Sequence, residues 1–209
     1  MPYLYFLRHG ETDYNRRGIV QGSGVDSDLN DTGLRQAQAF FEAYRHLDFE
    51  QVYVSELRRT HQTLAPWRDL GHELIPERGL NEFSWGILEG KVPDEHQERT
   101  FKGLLEHWKE GRLDKRIEDG ENPLEAWERA SSFFEQILSL GSESKVLLCS
   151  HGRQLRVILS SLIDNGMHHM HKYPQHNTGL TVVRLEAPGQ AALLVNGDIS
   201  HLSRIQLPQ

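Results

Sequence analysis

The sequence predicts an α/β fold with three layers, in which helices cover both faces of a mostly parallel sheet. Short and nearly continuous apolar runs alternate along the chain with segments whose apolar residues recur at helical spacing. This alternation is typical of parallel strands joined by crossover helices. Two segments of alternating polarity close the chain, and they predict an antiparallel hairpin at one edge of the sheet.

Four apolar runs, each bounded by glycine, proline or polar residues, predict the parallel strands. They cover residues 3–7, 51–54, 72–75 and 146–149. The closing hairpin is predicted from residues 180–185 and 191–195, with its turn at Pro188 and Gly189. The apolar runs are short enough for strands and too short for helices that bury an entire face.

Between these runs, apolar residues on one face predict helices over residues 32–47, 57–70, 122–140 and 152–162. Asn122 followed by Pro123 is a typical helix start, because asparagine caps the first turn and proline is preformed for it. A charged stretch at residues 91–120 carries Trp108 and other apolar residues at helical spacing. We expect one domain over residues 1–209, with this stretch as a helical cap inserted over the site.

The composition limits the classes of function. The 23 basic and 30 acidic residues give a net charge of −7, whereas nucleic-acid and anionic-membrane binders need a basic surface. No apolar stretch approaches the roughly 20 residues of a membrane-spanning helix, and the first residues lack a signal-peptide pattern. The single cysteine, Cys149, fits a buried strand and a reducing compartment. We therefore expect a cytoplasmic protein with no nucleic-acid or membrane partner.

Two predicted strands each lead into a histidine followed by a glycine, namely His9 before Gly10 and His151 before Gly152. Ligands of parallel sheets bind at the carboxyl ends of the strands, so both histidines could belong to one site. Glycine permits close backbone approach, and the helix start beyond it favours an anion. Either histidine alone is typical of an ordinary strand end, but the repeated pattern indicates a functional site.

Arginine and glutamate side chains are predicted at the same edge. Arg8 stands beside His9, Arg59 follows the second strand, and Glu82 follows the third. This set suits phosphoryl transfer, because guanidinium forks bind phosphate oxygens in pairs, a neutral histidine is a nucleophile, and a carboxylic acid can protonate a leaving oxygen. A metal site is the competing use of these ligands. The arginine charges would repel a divalent cation, so we expect no metal and no other cofactor.

Residues 8–12 (Arg-His-Gly-Glu-Thr), with Asn15 three positions further on, resemble the signature of the histidine phosphatase superfamily, which includes the phosphoglycerate mutase-like proteins. The similarity continues in order through Ser55–Thr63 and Leu80–Gly90 to residues 150–152, and it is weakest over residues 91–118. The resemblance implies a phosphoglycerate mutase-like fold and catalysis through a phosphohistidine.

The resemblance also implies a role for each residue at the strand ends. His9 would be the nucleophile, and Glu82 would protonate the leaving alcohol and then activate water. Arg8, Arg59 and His151 would hold the transferring phosphoryl group. Of the adjacent arginines 58 and 59, the family spacing favours Arg59 as the one that points inward.

Four further residues are implied to line the phosphate or the substrate, namely Asn15, Gln21, Gly22 and Asn177. The loop at residues 21–28 departs from the usual family pattern, because Asp28 stands where a proline is more common. Substrate contacts in this loop therefore do not carry over from the family.

Phe83 bears on the choice between two activities of the family. Mutases typically carry an arginine directly after the acid glutamate, and a phenylalanine cannot contact an anion in that way. We therefore expect a metal-independent phosphomonoester hydrolase that acts on a small phosphorylated metabolite. The alternative is a phosphoglycerate mutase, and a catalytically inactive module that binds a phospho-ligand is a third hypothesis. A homodimer is compatible with the sequence.

Two groups of charged residues have weaker functional interpretations. Basic residues of the insertion could meet a second anionic group of the substrate, although a solvated helical face is the commoner reason for this pattern. They are Lys91, Lys102, Lys109, Arg112, Lys115 and Arg116. The histidines at positions 168, 169, 171 and 176 lack acidic or cysteine neighbours at a familiar metal-binding spacing, which favours a surface loop. Trp85 fits either the core or a wall of the substrate pocket.

Overall fold

One six-stranded sheet organises the part of the chain that the computed structural model describes, residues 1–187 and 190–204. Its strands are β1 Tyr3–Arg8, β2 Gln51–Val54, β3 Leu74–Pro76, β4 Lys145–Ser150, β5 Leu180–Ala187 and β6 Gln190–Asp198. They lie in the order β3-β2-β4-β1-β5-β6. The first four pair in parallel, and β5 and β6 add an antiparallel edge. The predicted α/β class is confirmed, while the predicted turn at 188–189 lies outside the described residues.

Seven α-helices accompany the sheet in this part of the chain. They are α1 Asp13–Arg16, α2 Asp31–Tyr44, α3 Arg58–Thr63, α4 Ala65–Asp69, α5 Glu95–Lys109, α6 Pro123–Ile137 and α7 Gly152–Ile163. Short 3-10 turns lie at Arg78–Leu80, Gly86–Leu88, Met167–Lys172 and Ser200–Arg204. None of these helices is long and apolar enough to cross a bilayer.

Several boundaries differ from the predictions, and among them α2 ends at Tyr44 rather than at residue 47 and α6 at Ile137 rather than at residue 140. The helix predicted over residues 57–70 is divided into α3 and α4, because Pro66 stands in the first turn of α4 and cannot donate a main-chain hydrogen bond back into α3. The third strand begins at Leu74 rather than at residue 72. The start of α6 is as predicted, with the side chain of Asn122 accepting hydrogen bonds from the main chain of the first turn.

The sheet is buried on both faces. Val146 and Leu148 of β4 pack in one cluster with residues of α6 and α7, whereas Leu147 and Cys149 pack in a second cluster with Trp67 of α4. This alternation explains why β4 reads as a continuous apolar run, since every residue of a doubly covered strand is buried. Cys149 is a buried core residue, as predicted.

A third cluster attaches the segment after β3 to α5. Phe83 and Trp85 are buried against Trp108 of α5, with ring centroids 5.4 and 6.1 Å from it. Leu104 of α5 belongs to the same cluster. The charged insertion therefore contributes one amphipathic helix, which packs on the chain directly after Glu82.

Two glycines allow the turn after β1 to pack against the start of α2. A Cβ atom placed on Gly33 would lie 2.1 Å from the carbonyl oxygen of Glu11, and one on Gly10 would lie 2.6 Å from the carbonyl oxygen of Gly33. Both obstacles are main-chain atoms, which cannot move aside without displacing the turn. The main-chain N–H of Gly10 also donates to Oγ1 of Thr63 at 2.9 Å. The turn that carries His9 is thus fixed by close backbone contacts.

Replacing Gly33→Ala should lower the free energy of unfolding by about 1–3 kcal/mol, because the added methyl group overlaps a main-chain oxygen. Urea denaturation measures the change. Gly103→Ala is the matched control, since nothing lies within 4 Å of a Cβ at that position in α5, and alanine there should stabilise the helix by up to about 1 kcal/mol. An unchanged midpoint for Gly33→Ala would contradict the close approach.

Candidate active site

The carboxyl ends of the parallel strands bring together the five residues predicted at this edge. His9 follows β1 and His151 follows β4, and these two strands are direct neighbours. Their imidazole centroids lie 5.1 Å apart. Arg59 enters from α3, and Arg8 and Glu82 interact electrostatically with each other beside the histidines.

His9 is held as a neutral imidazole with its outer nitrogen unprotonated. The side chain is 2% exposed, and Nδ1 lies 2.7 Å from the carbonyl oxygen of Gly10. A carbonyl oxygen only accepts hydrogen bonds, so Nδ1 carries the proton and Nε2 keeps its lone pair. Burial lowers the pKa of His9 well below its ordinary value, and the charges of Arg59 and Arg8 lower it further. Nε2 is therefore the available nucleophile.

His151 is held in the opposite tautomer. Nε of Arg59 donates to Nδ1 of His151 at 3.0 Å. Because a guanidinium only donates, Nδ1 is unprotonated, and Nε2–H donates to Oγ of Ser55 at 2.7 Å. Burial, followed by the charge of Arg59, lowers the pKa of His151 well below its usual range. Both ring nitrogens thus contact the protein, and direct contact with a phosphoryl group stays a prediction.

Arg59 is fully buried, whereas its neighbour Arg58 is exposed and pairs with Asp26 at 3.0 Å. This agrees with the prediction that Arg59 points inward. Besides His151, the Arg59 guanidinium donates to the carbonyl oxygens of Val25 at 2.6 Å and Gly22 at 3.4 Å. Burial lowers its pKa to about 10, and the largest opposing influence is the carboxylate of Glu82. These bonds use three of five guanidinium hydrogens, which leaves two for a ligand.

Arg8 carries a buried donor without a partner. One terminal nitrogen donates to the carbonyl oxygen of Gln175 at 2.7 Å, while Nε is buried without a hydrogen bond in the described structure. Burial lowers the pKa of Arg8, and the carboxylate of Glu82 opposes this shift. Buried donors are rarely left unpaired, so the Nε of Arg8 marks a position suited to an anionic oxygen.

Glu82 lies at the amino end of α7, where main-chain N–H groups hold its carboxylate. Oε1 accepts from the N–H groups of Phe83 at 2.9 Å and Gln154 at 3.0 Å, and Oε2 accepts from that of Arg153 at 3.4 Å. The side chain is 7% exposed. Hydrogen bonds from a helix start, together with its dipole, fix the orientation of the carboxylate at the edge of the site.

Arg129 of α6, which the sequence analysis missed, supports the segment that carries Glu82. Its guanidinium donates to the carbonyl oxygens of Gly79, Asn81 and Glu82 at 3.0, 2.8 and 3.4 Å, and to Oε1 of Glu121 at 2.8 Å. No motif signals this role, because it depends on α6 packing against the turn after β3.

The predicted lining residues Asn15, Gln21 and Asn177 form one polar network around the first turn. Gln21 donates to Oγ1 of Thr12 at 2.7 Å, and Asn15 Oδ1 accepts from the N–H of Thr12 at 3.2 Å. Asn177 donates to the carbonyl oxygen of His9 at 3.0 Å and to Asn15 at 3.3 Å. In this structure these amides position the chain around His9.

Gly22, the fourth predicted lining residue, lies against the carboxylate of Glu89. A Cβ at Gly22 would stand 1.8 Å from Oε1 of Glu89. That carboxylate accepts from the N–H groups of Gly24 at 2.9 Å and Trp85 at 2.8 Å. Glu89 therefore anchors the loop at residues 21–28, whose carbonyl oxygens in turn hold Arg59.

The basic residues of the insertion are mostly engaged at the surface. Lys102, Lys109, Arg112, Lys115 and Arg116 pair with neighbouring carboxylates, and Lys91 donates to a main-chain carbonyl. His168 and His169 lie with ring centroids 3.8 Å apart. In the part of the chain that the structure describes, no three histidine, cysteine or acidic residues are grouped to hold a metal. Trp85 is 6% exposed and belongs to the core.

Two further arginines near Glu82 were also missed. Arg153 and Arg156 of α7 both interact electrostatically with Glu82, and burial lowers the pKa of each. The guanidinium of Arg153 lies 5.6 Å from the ring centroids of both Trp85 and Trp108. Their spacing of three residues, directly after His151, places both on one side of α7 and was the available signal.

Comparison with known proteins shows which family the whole chain resembles. The sequence model of the family described as "Histidine phosphatase superfamily (branch 1)" matches residues 4–198. A "Probable phosphatase C1687.21" of Schizosaccharomyces pombe is 29% identical over 95% of this chain and 94% of its own length. A "Probable phosphoglycerate mutase GpmB" of Yersinia pestis is 32% identical over 97% of this chain and 95% of its own length. The solved structure of Bacillus stearothermophilus YhfR has a TM-score of 0.82 and 25% identity, covering 97% of this chain and all of that one.

Nitrogen-detected NMR should find His9 protonated on Nδ1 and His151 on Nε2, with both rings still neutral below about pH 6.5, the ordinary histidine pKa. Below this pH these two histidines are protonated in the unfolded state but stay neutral in the native state, so the unfolded state binds more protons. The free energy of unfolding should therefore fall as pH decreases below that value. Identical tautomers, or protonation of either native ring near its ordinary pKa, would contradict the assigned hydrogen bonds.

Proposed function

The chain belongs to the histidine phosphatase superfamily, and from this membership and the site geometry we propose that it is a metal-independent phosphomonoester hydrolase. Its substrate is a small phosphorylated metabolite, and the reaction passes through a phosphohistidine. The observation that carries the proposal is the neutral His9, whose Nε2 is unprotonated beside the partly buried Arg8, the buried Arg59 and the buried carboxylate of Glu82.

The first step transfers the phosphoryl group to His9. Nε2 attacks phosphorus, and the N–P bond forms as the bond to the leaving alcohol oxygen breaks. Arg8 and Arg59 stabilise the charge on the equatorial oxygens, through the unpartnered Nε of Arg8 and the remaining hydrogens of Arg59. Glu82 delivers a proton to the leaving oxygen.

The second step releases phosphate. Glu82, now a carboxylate, removes a proton from a water molecule whose oxygen attacks phosphorus. The N–P bond breaks, which returns a neutral imidazole to His9, inorganic phosphate to solvent and a proton to Glu82 for the next cycle. His151 acts in both steps through Arg59, because its Nδ1 orients that guanidinium.

The phosphoglycerate mutase alternative is favoured by the GpmB similarity, but Phe83 argues for hydrolysis. The side chain of Phe83 is fully buried, with its ring centroid 4.8 Å from that of Trp85. It contributes to the core and cannot hold a substrate anion beside Glu82. The inactive-module hypothesis is disfavoured because every group that the two steps require is present at the site.

The net charge and the single cysteine bear on where the protein acts and on its partners. We propose a cytoplasmic enzyme, since the net charge of −7 disfavours nucleic acid and anionic membranes and the single cysteine is a buried core residue.

Phosphate release from a panel of phosphomonoesters should proceed with EDTA present and should fall by at least about a thousandfold in His9→Ala. His46→Ala, at an exposed position, is the matched control and should keep its activity. Hydrolysis that survives His9→Ala, or that stops with EDTA, would contradict the mechanism. Conversion of 3-phosphoglycerate to 2-phosphoglycerate with a bisphosphoglycerate primer, and little free phosphate, would identify a mutase.

Glu82→Gln should lower kcat/KM for alkyl phosphates by about a hundredfold or more, because loss of the general acid leaves an alkoxide to depart unprotonated. For p-nitrophenyl phosphate the loss in kcat/KM should be much smaller, since that leaving group is stable as an anion. The parameter kcat/KM is measured because it reports the first transfer and excludes the later attack by water. Equal losses for the two ester classes would remove Glu82 from the acid role.

A further inference from the structure

Arg129 and Gln154 form a polar pair where α6, α7 and the turn after β3 meet. One terminal nitrogen of Arg129 donates to Oε1 of Gln154 at 3.0 Å. The amide nitrogen of Gln154 donates to the carbonyl oxygens of Gly79 at 2.8 Å and Ala126 at 3.3 Å. Gln154 is fully buried, and both polar atoms of its side chain have partners. The pair therefore joins three parts of the chain through hydrogen bonds.

The pair contacts Glu82 through both its main chain and its carboxylate. The guanidinium of Arg129 donates to the carbonyl oxygens of Asn81 at 2.8 Å and Glu82 at 3.4 Å. These bonds fix the main chain that carries the acid. The main-chain N–H of Gln154 donates to Oε1 of Glu82 at 3.0 Å, which fixes the carboxylate itself. A displacement of the Arg129 guanidinium therefore moves the chain that carries Glu82 relative to the helix start that holds its carboxylate.

Glu121 keeps the guanidinium of Arg129 in place. Nε of Arg129 donates to Oε1 of Glu121 at 2.8 Å, and a terminal nitrogen donates to Oε2 at 3.2 Å. An ammonium group cannot reproduce this paired geometry. The same Oε2 accepts from the N–H of Ser84 at 3.4 Å, two residues after Glu82. The two side chains are 19% and 16% exposed, so solvent ions screen the pair only weakly.

The packing of α6 depends on apolar contacts rather than on this polar pair. Ala130, Phe133, Phe134 and Ile137 of α6 belong to the same buried cluster as residues of β1 and β4. A Cβ atom on Gly79 would lie 3.0 Å from the Cα atom of Ala130, so the turn after β3 also lies directly against α6. A helix in a folded protein is stabilised mainly by such packing of its apolar face. The hydrogen bonds of Arg129 therefore act on the position of the neighbouring turn more than on the stability of α6.

We propose that Arg129 and Gln154 are positioning residues for proton transfer by Glu82. The inference rests on the proposed function and deepens it, because it assigns the efficiency of the acid step to two residues that act through Glu82. The proton passes from the carboxyl group to the leaving oxygen, which must lie within hydrogen-bond reach. A displacement of about 1 Å slows such a step by up to about a hundredfold. Misplacing Glu82 therefore affects mainly esters whose leaving group needs a proton.

The test compares kcat/KM for the alkyl phosphate hydrolysed fastest in the panel with kcat/KM for p-nitrophenyl phosphate. Arg129→Gln should lower the ratio of alkyl to p-nitrophenyl ester by roughly tenfold, because the alkyl ester needs the proton of Glu82. Gln154→Leu should lower the ratio in the same direction. Ile137→Val is the matched control, since it loosens the buried face of α6. It should lower the unfolding midpoint in urea and leave the ratio unchanged.

Two further variants separate action through Glu82 from other effects. In a Glu82→Gln background, Arg129→Gln should lower the ratio no further, because no acid remains to be positioned. Arg129→Lys keeps the positive charge beside Glu121 but loses the guanidinium fork. It should lower the ratio as well, since the proposed role depends on geometry and not on charge alone.

Equal losses for the two esters in Arg129→Gln, or a further fall of the ratio in the Glu82→Gln background, would overturn the positioning role and leave the proposed function intact. If Glu82→Gln alone leaves the ratio unchanged, the acid step of the proposed function fails, and the positioning role fails with it. If Arg129→Gln does not fold, an unchanged ratio in Arg129→Lys overturns the inference. If neither variant folds, Arg129 is required for the fold, and the positioning role is likewise overturned.

Discussion

The reactive edge of the sheet contains more buried positive charge than the protein itself neutralises. Arg8, Arg59, Arg153 and Arg156 all interact with the carboxylate of Glu82, and Arg59 also interacts with Asp26 and Glu89. Burial, and then the charges of Arg59 and Arg8, disfavour a protonated His9, so its imidazole stays neutral. The phosphoryl group of the proposed substrate would offset this positive charge, whereas the same arginine charges would repel a divalent cation.

Main-chain contacts fix the positions of the residues that carry these charges. The register of β1 with β4 places Arg8 opposite Ser150, and the carbonyl oxygen of Ser150 accepts the N–H of His9 at 3.0 Å. Gly10 interlocks with the start of α2, and Arg129 fixes the chain that leads to Glu82. His9 and Glu82 therefore follow different strands but are held by a common scaffold.

The sequence alone predicted the parallel strands and the residues at their carboxyl ends. Strands that are buried on both faces appear as continuous apolar runs, and a glycine follows each strand-end histidine. The family resemblance also separated Arg59 from Arg58, through the spacing of the motif. The sequence could not find Arg129 or the cationic pair Arg153 and Arg156, since their surroundings depend on how α5 and α6 pack. Local patterns likewise did not show that both nitrogens of His151 are engaged, because its partners Ser55 and Arg59 lie about a hundred residues away in the chain.

The transfer of phosphate to Nε2 of His9 is the central claim, and trapping the intermediate tests it most directly. Turnover is stopped by alkali within milliseconds, and the modified residue is located by peptide mass spectrometry under conditions that preserve phosphohistidine. The account predicts phosphate on His9 that forms at least as fast as product is released and is absent in His9→Ala. Hydrolysis at the normal rate without phosphate on His9, or with phosphate on another residue, would contradict it.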